Sequence, residues 1–208
     1  MTHIASIAIE QLSFAYQGRP LFEDFVLQVS ASSITQLVGN NGSGKTTLLK
    51  ILAGTIIPER LKLVVDGKAD VETLDKLRWQ MRYVGHLPGL KMDLTAQENF
   101  KLDSLIYDHT ITDDCEQIMG KWGLSGVQHK LVNTLSFGQQ RKLSLLRLEY
   151  FPSQVWLLDE PFVGLDQATT QILADLLLKH VQNQGIVILS SHQKMTTLGL
   201  KANQTVNL

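Results

Sequence analysis

The chain has 208 residues with 44% hydrophobic content, enough to bury one large domain or two small lobes. Its 19 Lys and Arg against 20 Asp and Glu leave a net charge of -1, without the basic field that gathers nucleic acid or anionic lipid, so no nucleic-acid partner is expected. A single cysteine, Cys115, excludes a disulfide framework and a Cys-x-x-Cys metal site, and no apolar run approaches the roughly 18 residues of a membrane span. With no targeting segment read at its start, the chain is expected in the cytoplasm, with any membrane contact made through a partner.

The opening third reads as β: residues 7–14, 25–29 and 61–65 alternate apolar and polar, and Asp66-Gly67 after the last is a hairpin turn signal. Set into this antiparallel lobe are a short strand, 34–38, a Gly-rich turn, and a helix over 45–53 stopped by Gly54 with Pro58 beyond. The turn itself, Gly39-Asn40-Asn41-Gly42-Ser43-Gly44-Lys45-Thr46, fits G-x-x-x-x-G-K-[ST] in the strand-to-helix context that the motif requires. Glycines let the backbone curl with its N–H groups inward, the helix start adds a positive dipole end, and Lys45 brings a full charge to phosphates. Thr46 offers a hydroxyl to magnesium, and Thr47 follows as a further phosphate-loop contact.

Residues 90–135 read as a more polar, helical segment inserted between strands, and a helix starts at Ser136, a candidate N-cap. Next come a buried strand, 155–158, a helix from Asp166 to about Gln184, and a buried strand, 186–189, an alternation that implies a parallel sheet. The first of these strands ends in Asp159-Glu160, which places two carboxylates at the ligand-binding edge of the sheet. Asp159 can hold magnesium and Glu160 can polarise an attacking water; read without the phosphate loop, the pair is equally a solvated strand end.

The phosphate loop, Leu135-Ser136-Phe137-Gly138-Gln139, Asp159-Glu160-Pro161, Gly164-Leu165-Asp166 and His192 occur in the order found in ABC ATPase domains, and the resemblance covers essentially the whole chain. It implies a P-loop NTPase core with a parallel sheet, an N-terminal antiparallel β lobe and a helical subdomain at about 90–135, all in one ABC ATPase domain over 1–208. It further implies ATP and Mg2+ as cofactors and a head-to-tail homodimer in the ATP-bound state. Two ATP molecules would lie between the phosphate loop of one copy and the signature of the other, with Ser136, Gly138 and Gln139 as contacts. Lys45, Glu160 and His192 would be catalytic, Thr46 and Asp159 metal ligands, and Asp166 a contact across the dimer. Tyr16 matches the aromatic that stacks on adenine, with strand packing as its alternative.

Two positions depart from the pattern. His86 stands where most such ATPases place a Gln at the junction to the helical lobe, which alters the donors available to magnesium there, and Phe137 replaces a Gly of the signature. The stretch from Gly85 to Lys91 with Leu94 to Asn99, together with Ser136 to Arg141, Glu160-Pro161-Phe162 and Ser191-His192-Gln193, resembles the haem exporter ATPases of bacterial cytochrome c maturation. That resemblance implies an integral membrane transporter subunit as partner, haem and a haem chaperone as indirect partners, and a place on the cytoplasmic face of the inner membrane. The alternatives are the ATPase of another ABC transporter with a different cargo and an ATP-gated scaffold without turnover; Glu160 argues against the latter.

Overall fold

A computed structural model of the chain describes residues 3–108, 115–192 and 195–208; the Gln193 named above and residues 109–114 of the expected helical segment lie outside them. β1 (Ser6–Tyr16) and β2 (Arg19–Ser30) form a hairpin whose turn residues, Gln17 and Gly18, both have positive φ, 51° and 78°. Ile7 and Ile9 are buried at odd positions of β1, but a register shift between Ile9 and Leu12 moves the inward face to even ones. β3 (Ser33–Val38) follows as a buried run, then α1 (Lys45–Leu52), which ends at Ala53 before Gly54, φ 72°.

β4 (Arg60–Val65) pairs antiparallel with β1. The Asp66-Gly67 turn forms, yet it returns the chain to a single bridge, Val65 to Lys68, and not to a second strand. Asp66 instead accepts from Ala5 N–H (2.9 Å) and Ser6 N–H (2.7 Å), anchoring the start of β1. Two elements that the sequence pattern did not reveal come next, α2 (Val71–Trp79), capped by Asp70, and β5 (Met81–Val84).

Residues 90–135 hold α3 (Ala96–Ile106), whose N-terminus is a Thr95/Glu98 capping box, α4 (Cys115–Lys121) and a 3-10 turn (Val132–Thr134). α5 (Phe137–Tyr150), β6 (Val155–Asp159), α6 (Gln167–Gln182), β7 (Ile186–Ser190) and β8 (Gln204–Asn207) complete the chain.

The strands form an antiparallel sheet ordered β2-β1-β4 and a parallel sheet ordered β5-β6-β7-β3-β8. β6 and β7 are buried on both faces, which explains their unbroken apolar sequence. Val155, Leu157, Ile186 and Ile188 pack toward α1 and the antiparallel sheet, while Trp156, Leu158, Val187 and Leu189 pack toward α5 and α6. At about 0.8 kcal/mol per buried CH2, these two clusters dominate the stabilisation of the fold. The expected α/β architecture holds. The carboxyl ends of β3, β5, β6 and β7 all open on one edge of the parallel sheet.

Candidate functional site

At that edge the chain leaves β3 through Gly39 to Gly44. Gly39 (φ 149°) has no room for a side chain, since a Cβ would lie 2.5 Å from Ser43 Oγ and 2.6 Å from the Leu208 carbonyl oxygen. Gly44 has φ 106°, and a Cβ there would meet the Phe22 ring at 2.8 Å. Gly44 is also the N-cap of α1 and offers no side-chain acceptor, so no side chain caps the first helical N–H groups. Lys45, only 8% exposed, folds back along the loop and donates to the carbonyls of Gly39 (2.7 Å) and Asn40 (3.0 Å). A cation and the side-chain-uncapped start of α1 thus share one glycine-rich turn, an arrangement that suits phosphate oxygens.

Thr46 Oγ1 donates to Asp159 Oδ2 at 2.7 Å, joining the start of α1 to the end of β6. The other Asp159 oxygen accepts from Ser190 Oγ at 2.7 Å, at the end of β7. Glu160 extends one residue further, with Oε1 buried and without a hydrogen-bond partner among the described residues. The exposed His192 reaches toward it from two sides: its Nε2 lies 3.4 Å from Oε1, and its backbone N–H, also at 3.4 Å, points at Oε2. Both contacts are long for hydrogen bonds. Thr46, Asp159, Tyr83, Gly85, His86 and Arg147 line a cavity of about 300 Å³ beside the carboxylates. Burial, reinforced by the Asp159 charge, pushes the Tyr83 hydroxyl up to about 12, so Tyr83 stays neutral on this wall. Tyr16, the last residue of β1, is exposed.

The residues Ser136, Gly138, Gln139 and Asp166 form a second cluster. Ser136 caps α5: its Oγ accepts from Gln139 N–H (3.2 Å), and Gln139 Oε1 accepts from Ser136 N–H (3.0 Å). The half-exposed Phe137 packs its ring against Gly164, where a Cβ would lie 3.1 Å from it. Asp166 caps α6 through Thr169 N–H (2.8 Å) and receives Lys142 Nζ at 2.6 Å. The Lys142 hydrogen bond, with the Thr169 bonds, holds the Asp166 carboxyl below the usual carboxylate range.

Residues 22–163 match the family model described as ABC transporter. The chain belongs to the ABC transporter family. It is an ABC ATPase subunit, 36% identical over 201 residues to the cytochrome c biogenesis ATP-binding export protein of Shewanella oneidensis, an alignment covering 94% of this chain and 92% of the relative. A solved ATP-binding subunit of an ABC transporter superposes with a TM-score of 0.84 at 22% identity, covering 97% of this chain and 85% of that one. A dimeric ATP-binding cassette in a post-hydrolysis state with ADP and phosphate superposes with a TM-score of 0.80 at 20% identity, covering 97% and 94%.

This ABC ATPase carries site residues that its sequence did not single out. Arg141, 1% exposed on α5, donates to the carbonyls of Gly85 (2.6 Å), Asp159 (3.0 Å) and Glu160 (2.8 Å), linking the signature helix to the carboxylate edge. Ser190 bridges Asp159 and the Glu160 N–H. Arg141 adjoins the signature and Ser190 ends an apolar strand, but nothing in local spacing reveals that both converge on one peptide.

Proposed function

We propose that this subunit hydrolyses ATP at the phosphate loop and couples the cycle to export in cytochrome c biogenesis through a membrane partner. The observation that carries the hydrolytic reading is the convergence of Lys45, Thr46, Asp159, Glu160 and His192 on one sheet edge. Gly39 to Thr47 would wrap the phosphates, with Asn40, Asn41, Gly42, Ser43 and Gly44 giving backbone contacts and Lys45 turning from the loop carbonyls to the β and γ phosphates. Tyr16 would stack on the base.

Thr46 and Asp159 fit Mg2+: they are hard oxygen donors already 2.7 Å apart. The ion would neutralise charge developing on the transferred phosphoryl group. His86 lines the same cavity, but an imidazole suits magnesium less well than an oxygen donor, so we place it on the wall and not among the primary ligands. Glu160 would take the proton side of an in-line water, and His192, held against that carboxylate, would contact the γ phosphate.

A second copy would supply Ser136, Gly138 and Gln139 to the phosphates, with Asp166 meeting the partner copy. In support, Ser136 and Asp166 are exposed, Gly138 and Gln139 are half-buried beside them, and the cassette with ADP and phosphate is dimeric. The transporter subunit would dock on the cytoplasmic side, where Leu87 and Leu105 are 77% and 81% exposed near His86 and on α3; no described helix is long and apolar enough to span a membrane. In this reading haem and a haem chaperone are the indirect partners.

Complementation tests this reading: a bacterium lacking its cytochrome c biogenesis ATPase receives wild-type or Glu160→Gln protein, and covalently bound haem is stained in c-type cytochromes. Restoration by wild type and not by Glu160→Gln is expected. Restoration by both would refute the need for hydrolysis, and failure of well-expressed wild type would point to another cargo.

A further inference from the structure

Glu160 has φ 48°, in the left-handed region, although it is not a glycine. The other six non-glycine residues with positive φ that the structure describes are all exposed, and three of them, Gln17, Asp66 and Gln184, directly precede a Gly in a turn. Glu160 alone among the seven is partly buried, and it precedes Pro161, whose ring further favours extended backbone at the residue before it. Neither its side chain nor its place in the sequence favours this conformation, so the surroundings impose it.

Those surroundings are specific. The Glu160 N–H donates to Ser190 Oγ at 2.9 Å, while the carbonyl of the same peptide unit, that of Asp159, and the next one, that of Glu160, accept from the same Arg141 nitrogen at 3.0 and 2.8 Å. Arg141 uses its other terminal nitrogen on the Gly85 carbonyl, at 2.6 Å, next to His86. Its charge is buried and spent on three backbone carbonyls from two separate segments of the chain, Gly85 and Asp159–Glu160.

We propose that Arg141, with Ser190, is a positioning residue that locks the Asp159–Glu160 peptide in its left-handed form and thereby aims the Glu160 carboxylate. The shared guanidinium also ties that aim to the Gly85–His86 loop, so displacement of the loop misdirects the carboxylate. This rests on Glu160 being the group that activates water.

The test uses the full chain in its transporter complex. Arg141→Lys keeps the charge but cannot bridge three carbonyls. It is expected to lower kcat about 10–100-fold, the cost of a misplacement near 1 Å, with ATP affinity within about twofold of wild type. In a Glu160→Gln background, Arg141→Lys is expected to cause no further loss, because it acts through that carboxylate. Losses that multiply in the double variant, or an unchanged kcat in Arg141→Lys, would overturn the proposal. Should Arg141→Lys fail to fold, Ser190→Ala, which frees the Glu160 N–H, carries the same pair of measurements. Near-normal turnover of Glu160→Gln itself would instead refute the role of Glu160.

Discussion

Two helix N-termini face the reaction proposed for this subunit, and they are built in opposite ways. α1 begins at a glycine with no side-chain cap to its first N–H groups, and beside them Lys45 is held by the loop carbonyls of Gly39 and Asn40, from which it can turn to an anion. α5 begins with a complete capping box, in which Ser136 and Gln139 satisfy each other's backbone. An uncapped helix start is costly unless something else meets its N–H groups, and in the proposed reading the phosphates of ATP take that role. The signature is stable by itself and can offer Ser136 to a second copy's nucleotide only by sharing the hydroxyl that caps its own helix.

The sharpest way to break this comparison is to remove the cation from the uncapped end. Lys45→Ala is expected to weaken ATP binding about 10–100-fold, the loss of a charge-assisted phosphate contact, with little change in stability. Equilibrium titration checks it, and unchanged affinity would show that the loop amides suffice.

The far end of the sheet supplies a control that neither N-terminus touches. His180 stacks on Trp156 with ring centroids 3.5 Å apart and lies 3.0 Å from the Gln154 carbonyl, and burial lowers its pKa from 6.5 to about 4. Between those values the unfolded chain takes up a proton that the folded one refuses. Stability should therefore be complete above pH 6.5 and fall by about 3 kcal/mol toward pH 4. Thermal unfolding across this range, with and without ATP, should show the same slope, flattened in His180→Gln. A slope that ATP alters would tie this end to the site.

The smallest effect belongs to the capped end. Ser136→Ala should cost about 1 kcal/mol of stability, whereas Ser136→Asp should restore it by capping α5 again. If Ser136 also meets the partner copy's phosphates, Ser136→Asp will recover the melting temperature but not the turnover, since its charge opposes the phosphate. Recovery of both would reduce the residue to a cap.

The contrast between these ends also explains what could be read from the sequence. β6 and β7 are apolar runs up to their last residue, β3 is a short strand placed by the phosphate loop that follows it, α5 and α6 start at Ser136 and Asp166 where side-chain caps announce them, and the phosphate loop is a motif whose residues are adjacent. α2 was not legible because Leu77 is its one buried residue, and β5 because it carries Arg82, buried against the Tyr107 ring at 3.5 Å, inside a four-residue strand. β8 is a polar edge strand held by pairing with β3 and not by an apolar face. At the site, Arg141 and Ser190 act on backbone groups 18 to 56 residues away, a relation with no sequence period.

Glu160 is proposed to drive hydrolysis at a phosphate site that binds ATP without its help. The direct measurement is ATP binding and steady-state phosphate release for Glu160→Gln beside wild type, each in complex with the membrane partner. ATP affinity within about twofold and kcat lower by about two to three orders of magnitude are expected. Phosphate release near the wild-type rate, or loss of binding in step with loss of turnover, would contradict the account.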